Sequence, residues 1–258
     1  MTLPTFETMS LSLDRDTLTA KLSRPEELNT VSTTMLQELV HLADFLRDRT
    51  DIHFLILGHE GKYFSAGAHL GLIREMVENT EVMRKHQNVA HDMMKKMPEI
   101  EQISFAAIGG SIYGAGVAIA MTCDFRVMAD HAVMNLPETK RGMFLTYGST
   151  PRLVHTVGLA RAKEMIMFAE DYSAQQCLEA GAVQDVVPAA QVYEVIEAKI
   201  ETLRQRSWRA IRIAKRIANA AVPPDIGNMI LPEPELVECT MLDDEMATLL
   251  DDFLKKRK

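Results

Sequence analysis

Twice in this chain a short run of apolar residues ends in a turn built from glycines and alanines, and each turn opens into a helix-prone segment. Residues 54–57 precede GKYFSAGAHLG at 61–71, and residues 105–108 precede GGSIYGAGVAIAMTCDFRVMADHAVMNLPETKRG at 109–142. Runs of four apolar residues are too short for buried helices and read as buried parallel strands. Strands that alternate with helices imply a parallel sheet with right-handed crossovers. Small residues at a helix entry leave backbone N–H groups bare, where they can face an anion. Two such turns are candidates for the two halves of an oxyanion hole. One carboxylate, Glu138, follows the second turn between apolar Leu136 and Pro137 on one side and Thr139 on the other. Paired donors with one acid or base imply chemistry on a carbonyl through an enolate.

The rest of the chain fits an α/β reading. Leu11 and Leu13, then Leu18, Ala20 and Leu22, alternate with polar residues around the charged turn Asp14-Arg15-Asp16, which predicts a hairpin. Helical spacing predicts a helix over 33–48, capped from 32–34, and a helix-prone stretch over 72–97. A helix near 115–122 and a strand over 125–128 follow. Beyond 150 helical patterns prevail: 160–169, 174–179 and a long stretch from 190 to 221. Pro223, Pro224, Pro232 and Pro234 mark a break before a final helix near 241–256.

With 258 residues, 47% of them hydrophobic, the chain fills one large domain, or a core with a small appendage. A net charge of −8 argues against nucleic acid and anionic membranes as partners, while leaving anionic small molecules open. Cys123, Cys177 and Cys239 are far apart, odd in number and without metal-site spacing, so no metal is expected. The start MTLPTFETMS carries no basic and apolar leader, and no apolar run is long enough to span a bilayer. A reducing cytoplasm is the expected setting.

A dinucleotide site is the competing reading of Gly114 and Gly116. The third glycine of G-x-G-x-x-G would fall at Ile119, and no acidic residue closes a second strand in the expected place. That reading is set aside.

The strings RPEELNTVS (24–32), FSAGAHL (64–70), GAGVAIAMTCD (114–124), MNLPETKRGM (134–143) and YGSTPRLVHTVG (147–158) resemble, in order and spacing, the enoyl-CoA hydratase/isomerase, or crotonase, superfamily. The resemblance implies an α/β fold in which repeated ββα units wind into a spiral, with a C-terminal helical region. It divides the chain into a core at 1–190 and a helical trimerisation region at 191–258, and implies a homotrimer or a dimer of trimers. It also implies an acyl-CoA substrate and no cofactor beyond the CoA moiety of that substrate. The oxyanion donors fall on the backbone of Ala68 and Ala115, and the catalytic carboxylate on Glu138. Substrate-binding positions fall on Ala66, His69, Leu70, Gly114, Tyr147 and Leu28. Lys255, Lys256 and Arg257 stand as candidates for the CoA phosphates, a solvated terminal helix being the alternative. Seventeen methionines are core filler or the walls of a deformable acyl pocket.

Two departures from the family pattern bear on mechanism. Hydratases of the family carry a second glutamate in the helix behind the second donor, and here that position is Ala118, with no acid nearer than Asp124 in that segment. A single carboxylate suits moving one proton between C2 and C4 of a 3-enoyl thioester better than adding water. The usual aspartate after FSAGA is His69, either a solvent-facing helix start or a second proton carrier or pocket-lining group. The expected function is double-bond isomerisation of an enoyl-CoA by Glu138. Alternatives are a hydratase, hydrolase or decarboxylase on the same scaffold, and a catalytically quiet acyl-CoA-binding subunit.

Overall fold

A computed structural model describes residues 2–221 and 233–255. The chain opens with the predicted hairpin, β1 (Met9–Asp14) against β2 (Thr17–Leu22), turned by Arg15 at φ 54°. Helix α1 (Thr33–Arg47) is capped by Ser32, whose hydroxyl accepts from Met35 N–H, and its buried stripe Met35, Leu36, Leu39, Leu42 and Leu46 faces the core.

A three-part unit then repeats. First come β3 (Phe54–His59) and β4 (Tyr63–Ser65), followed by α2 (Leu70–Glu78) and α3 (Thr80–Glu99). The next unit is β5 (Ile103–Ile108), β6 (Ser111–Tyr113) and α4 (Ala115–Ala120), and after it β7 (Phe125–Ala129) and β8 (Val133–Asn135). The helical part follows with α5 (Ser149–Val157) and α6 (Leu159–Phe168), the short strand β9 (Tyr172–Ser173), α7 (Ala174–Glu179) and β10 (Asp185–Val187). It closes with α8 (Val192–Arg204), α9 (Trp208–Ala220), α10 (Glu233–Met241) and α11 (Asp244–Lys255).

Each unit lends one strand to each of two sheets. The large sheet runs β1-β2-β3-β5-β7-β10 and the small one β4-β6-β8-β9. From β2 onward the large sheet is parallel, and β4, β6 and β8 are parallel to one another. This is the spiral of ββα units. Buried residues of β3 and β5 form the centre of one large apolar core, which also takes Val192, Ile196 and Ile200 of α8. A second apolar cluster joins Ile73, Met76 and Met83 to Val237, Met241, Met246 and Leu250, tying α2 and α3 to the last two helices.

Two expected helices are divided in the structure. The stretch 72–97 breaks at Asn79, whose side chain accepts from Glu81 and Val82 N–H and starts α3 afresh. The stretch 190–221 breaks before Ser207, which caps α9. The expected final helix near 241–256 is α11, and ahead of it stands an unexpected one, α10, with Pro234 in its first turn, where a missing N–H does no harm. Pro223, Pro224, Pro232, Lys256 and Arg257 lie outside the described residues. Among the described residues no helix is long and apolar enough to cross a membrane.

Candidate active site

Three neighbouring parallel strands of the small sheet end on one side, and each delivers one part of the site. Past β4 come Ala66, Gly67 and Ala68; past β6 come Gly114 and Ala115; past β8 come Leu136, Pro137 and Glu138. Parallel neighbours carry their C-terminal ends together, which is why residues about 50 and 20 positions apart in sequence meet.

The first turn is fixed from two sides. Val31 N–H donates to Gly67 O at 2.8 Å and His69 N–H donates to Val31 O at 3.0 Å, a pattern that passes over Ala68 N–H. Gly67 has φ 90°, and a β-carbon there would stand 3.2 Å from the Tyr113 carbonyl oxygen of the second turn. The two turns are therefore in contact, and only glycine fits the first. Segment 24–31 is held by Asn29, buried and at φ 50°: its amide donates to the carbonyls of Glu60 and Tyr63, both at 2.9 Å, and accepts from Arg24 N–H.

The second turn is anchored by Gly114 N–H on the Asn135 carbonyl, 2.9 Å. A β-carbon on Gly116 would lie 2.6 Å from Ser65 Cβ, so the first turn of α4 presses on the end of β4. Ala68 N–H and Ala115 N–H donate to no acceptor among the described residues, and both residues line one cavity of about 50 Å³. Two bare donors at one cavity are what an oxyanion requires.

Glu138 lies on the wall of the same cavity, at the start of the turn Thr139–Arg141. Its Oε2 is buried without a hydrogen-bond partner among the described residues. Burial raises its pKa to about 7, against smaller opposing effects of its own backbone N–H and the Arg141 charge. A carboxyl near 7 both takes and returns a proton in neutral water. Ala118 lines the cavity too, and among the described lining residues Glu138 is the one carboxylate. Asp124 does not supply a second, because its Oδ2 accepts from Ser104 N–H, Ser104 Oγ and Lys215 Nζ at 2.8–2.9 Å.

Behind the site stands a set of polar contacts that no motif announced. Tyr147, at φ 65° and 4% exposed, reaches His86 Nε2 with its hydroxyl at 2.7 Å, and His86 Nδ1 meets Thr33 Oγ1 at 2.9 Å. Burial pushes the His86 pKa down to about 4, so the ring is neutral. Burial, with the charges of Glu138 and Glu233, holds the Tyr147 phenol well above its usual range. Glu233 of α10 is itself buried and accepts Gly148 N–H with both oxygens, at 2.8 and 3.1 Å. His91 Nε2 stands 3.5 Å from it. The turn after Glu138 is buttressed in the same way: a β-carbon on Gly142 would strike Met246 Cα at 2.7 Å, and the Arg141 guanidinium stacks 4.1 Å over Phe253.

The expected site residues are only partly brought together. Ala66, Ala68, Gly114, Ala115, Glu138 and Tyr147 line the cavity. His69, Leu70 and Leu28 do not. His69 is exposed and caps α2, its Nδ1 accepting from Leu72 N–H at 3.4 Å, which leaves it a helix start rather than a proton carrier at the cavity. Leu70 packs on the second apolar cluster. Leu28, at φ 54°, turns its side chain outward while its carbonyl accepts Ala66 N–H. Lys255 is exposed and 3.7 Å from Asp252. Gln87, His86 and Glu233 were not foreseen, since single polar residues within helical patterns carry no sequence signal. Among the described residues no cluster of three or more His, Cys, Asp or Glu side chains is placed to hold a metal ion.

The chain has relatives among known proteins. The chain is 28% identical over 256 residues to a probable enoyl-CoA hydratase, echA8, of Mycobacterium tuberculosis, covering 98% of this chain and 97% of that one. It is 28% identical over 246 residues to an enoyl-CoA isomerase/hydratase, fer4, of Mycosarcoma maydis, covering 92% and 89%. The crystal structure of an enoyl-CoA hydratase from Bacillus halodurans superposes with a TM-score of 0.89 at 18% identity, over 95% of this chain and all of that one, and shows the shared fold. The family model described as enoyl-CoA hydratase/isomerase matches residues 15–258. A spiral of ββα units that carries two bare N–H groups and a buried glutamate at one end of its small sheet, matched over nearly its whole length, belongs to the enoyl-CoA hydratase/isomerase family.

Proposed function

We propose that this enzyme shifts the double bond of an enoyl-CoA thioester through an enolate. The thioester oxygen accepts Ala68 and Ala115 N–H, and Glu138 takes a proton from C2 and returns it at C4. The observation that carries this reading is that Glu138, buried with an oxygen that has no partner among the described residues, and Ala118 line the same cavity. As the enolate forms, negative charge moves onto the oxygen held by the two donors, and losing one such donor typically costs about 2.7–4 kcal/mol of barrier. Removal and return of the proton by one carboxyl needs no second acid, and a pKa near 7 keeps both forms within reach. Met76, Met143 and Met241 in the cavity walls are flexible enough to part for an acyl chain.

A second reading, hydration, draws on the names of the relatives, among them the Mycobacterium tuberculosis hydratase. Water would then have to be oriented by Glu138 alone. Supplying the purified protein with a 3-enoyl-CoA and with the matching 2-enoyl-CoA separates the two. The isomerase reading expects conversion of the 3-enoyl thioester well above any hydration of the 2-enoyl one, and loss of that conversion in Glu138→Gln. Faster hydration than isomerisation, or an undiminished Glu138→Gln, removes it. A trimeric assembly built on the C-terminal helices, and a cytoplasmic setting, are part of the same proposal, with sedimentation as the direct check on the former.

A further inference from the structure

Gln87 is 2% exposed on α3, yet its amide makes no hydrogen bond among the described residues and its Oε1 is buried with no partner. It nevertheless lines the cavity that holds Glu138 and the two bare donors. The part of the lining that α2 and α10 supply is mostly apolar, Ile73 and Met76 from the one and Val237 and Met241 from the other, with Thr240 as its polar member. An amide held unpaired among such neighbours is a standing cost to the fold, because burial strips it of water without replacing the lost bonds. A hydrophobic residue of the same size would fill the position without that penalty.

We infer that Gln87 is a specificity residue, and that the acyl group this enzyme takes carries a neutral hydrogen-bonding substituent, a hydroxyl or a carboxamide, rather than a plain alkyl chain. The inference rests on the acyl-CoA reading above and narrows its substrate class. A hydroxyl donates to Oε1 and accepts from the amide N–H, so one substituent satisfies both ends of Gln87. A carboxylate lacks the donor that Oε1 requires. Discrimination of this kind is steep, because an alkyl analogue leaves the buried amide unpaired in the complex as well as in the free enzyme.

The test compares 3-enoyl-CoA thioesters of one chain length, with and without a hydroxyl at successive positions beyond the double bond, on the parent enzyme and on Gln87→Met and Gln87→Leu. The inference expects at least one hydroxylated thioester to exceed its alkyl counterpart in kcat/KM by roughly tenfold or more, and the preference to collapse in both variants. It also expects thermal melting of Gln87→Met to rise or hold, since an orphaned polar group is removed. Preference for the alkyl thioester in the parent, a preference unchanged in the variants, or a marked fall in melting temperature of Gln87→Met overturns the inference while leaving the acyl-CoA reading intact. Failure of the parent to bind or turn over any thioester in the set overturns both.

Discussion

A β-carbon placed on Gly114 would stand 2.7 Å from Oε1 of Glu138. The residue before Ala115 and the Glu138 carboxyl are thus packed against each other, and a methyl group on Gly114 would displace that carboxyl. Gly114 also has φ 49° and ψ −118°, outside the range of ordinary L-residues. Gly114→Ala is expected to cost about 1–3 kcal/mol of stability through strain. It should also lower kcat/KM by about a hundredfold, by moving Glu138 and Ala115 N–H apart. Thermal melting and steady-state kinetics on one preparation check both; a variant with parental turnover would show that the contact is immaterial.

The raised pKa of Glu138 predicts two pH dependences. As a base the carboxyl must be ionised, so kcat/KM for isomerisation rises with pH through about 7, and this limb vanishes in Glu138→Gln along with about 10²–10⁴ of the rate. For stability the sign is opposite. The folded state holds the proton more tightly than the unfolded chain does, so the group's contribution is fully present below the ordinary pKa of 4.5 and is lost as pH rises through about 7. Glu138→Gln should therefore be more stable than the parent at pH 8, by about 1–3 kcal/mol, and differ less at pH 5. Denaturant unfolding at the two pH values measures the difference.

Ala118→Glu restores the two-carboxylate pattern at the cavity. It is expected to raise hydration of a 2-enoyl thioester relative to isomerisation of the 3-enoyl one, and to destabilise the fold by about 1–3 kcal/mol, since Ala118 is fully buried and the added side chain overpacks α4. Product analysis of both reactions on parent and variant gives the ratio. A ratio that stays put would mean that Ala118 is not what sets the chemistry.

Glu233→Ala removes the acceptor of Gly148 N–H and leaves His91 without its carboxylate neighbour. A buried N–H left unpaired costs about 1–3 kcal/mol, so the melting temperature falls. Hydrogen exchange should quicken in 144–148, which carries Tyr147. Unchanged exchange there would dissociate α10 from the site.

The apolar stripe of α1, the hairpin of β1 and β2 and the continuous apolar runs of β3 and β5 were legible because each is a periodicity several residues long. The strings around Ala68, Ala115 and Glu138 were legible because five such strings stand in the order and spacing of one family, whereas each alone reads as an ordinary turn or strand end. Strands β4, β6 and β8 were not, since three residues have no period, and they become strands only when a neighbour supplies the hydrogen bonds. His69 shows the limit from the other side: a histidine next to a donor in sequence faces solvent, because a residue that caps a helix directs its side chain back at that helix.

Sequence alone determined the class of fold and, through the family resemblance, pointed to Ala68, Ala115 and Glu138 and to Ala118 where a second acid would stand. Which of these meet was decided only in three dimensions. Parallel strands of the small sheet bring three C-terminal ends to one place, and burial at that place raises Glu138 to about 7. Burial likewise leaves Gln87 Oε1 without a partner among the described residues, and a cost of that kind is visible only when the neighbours are in position.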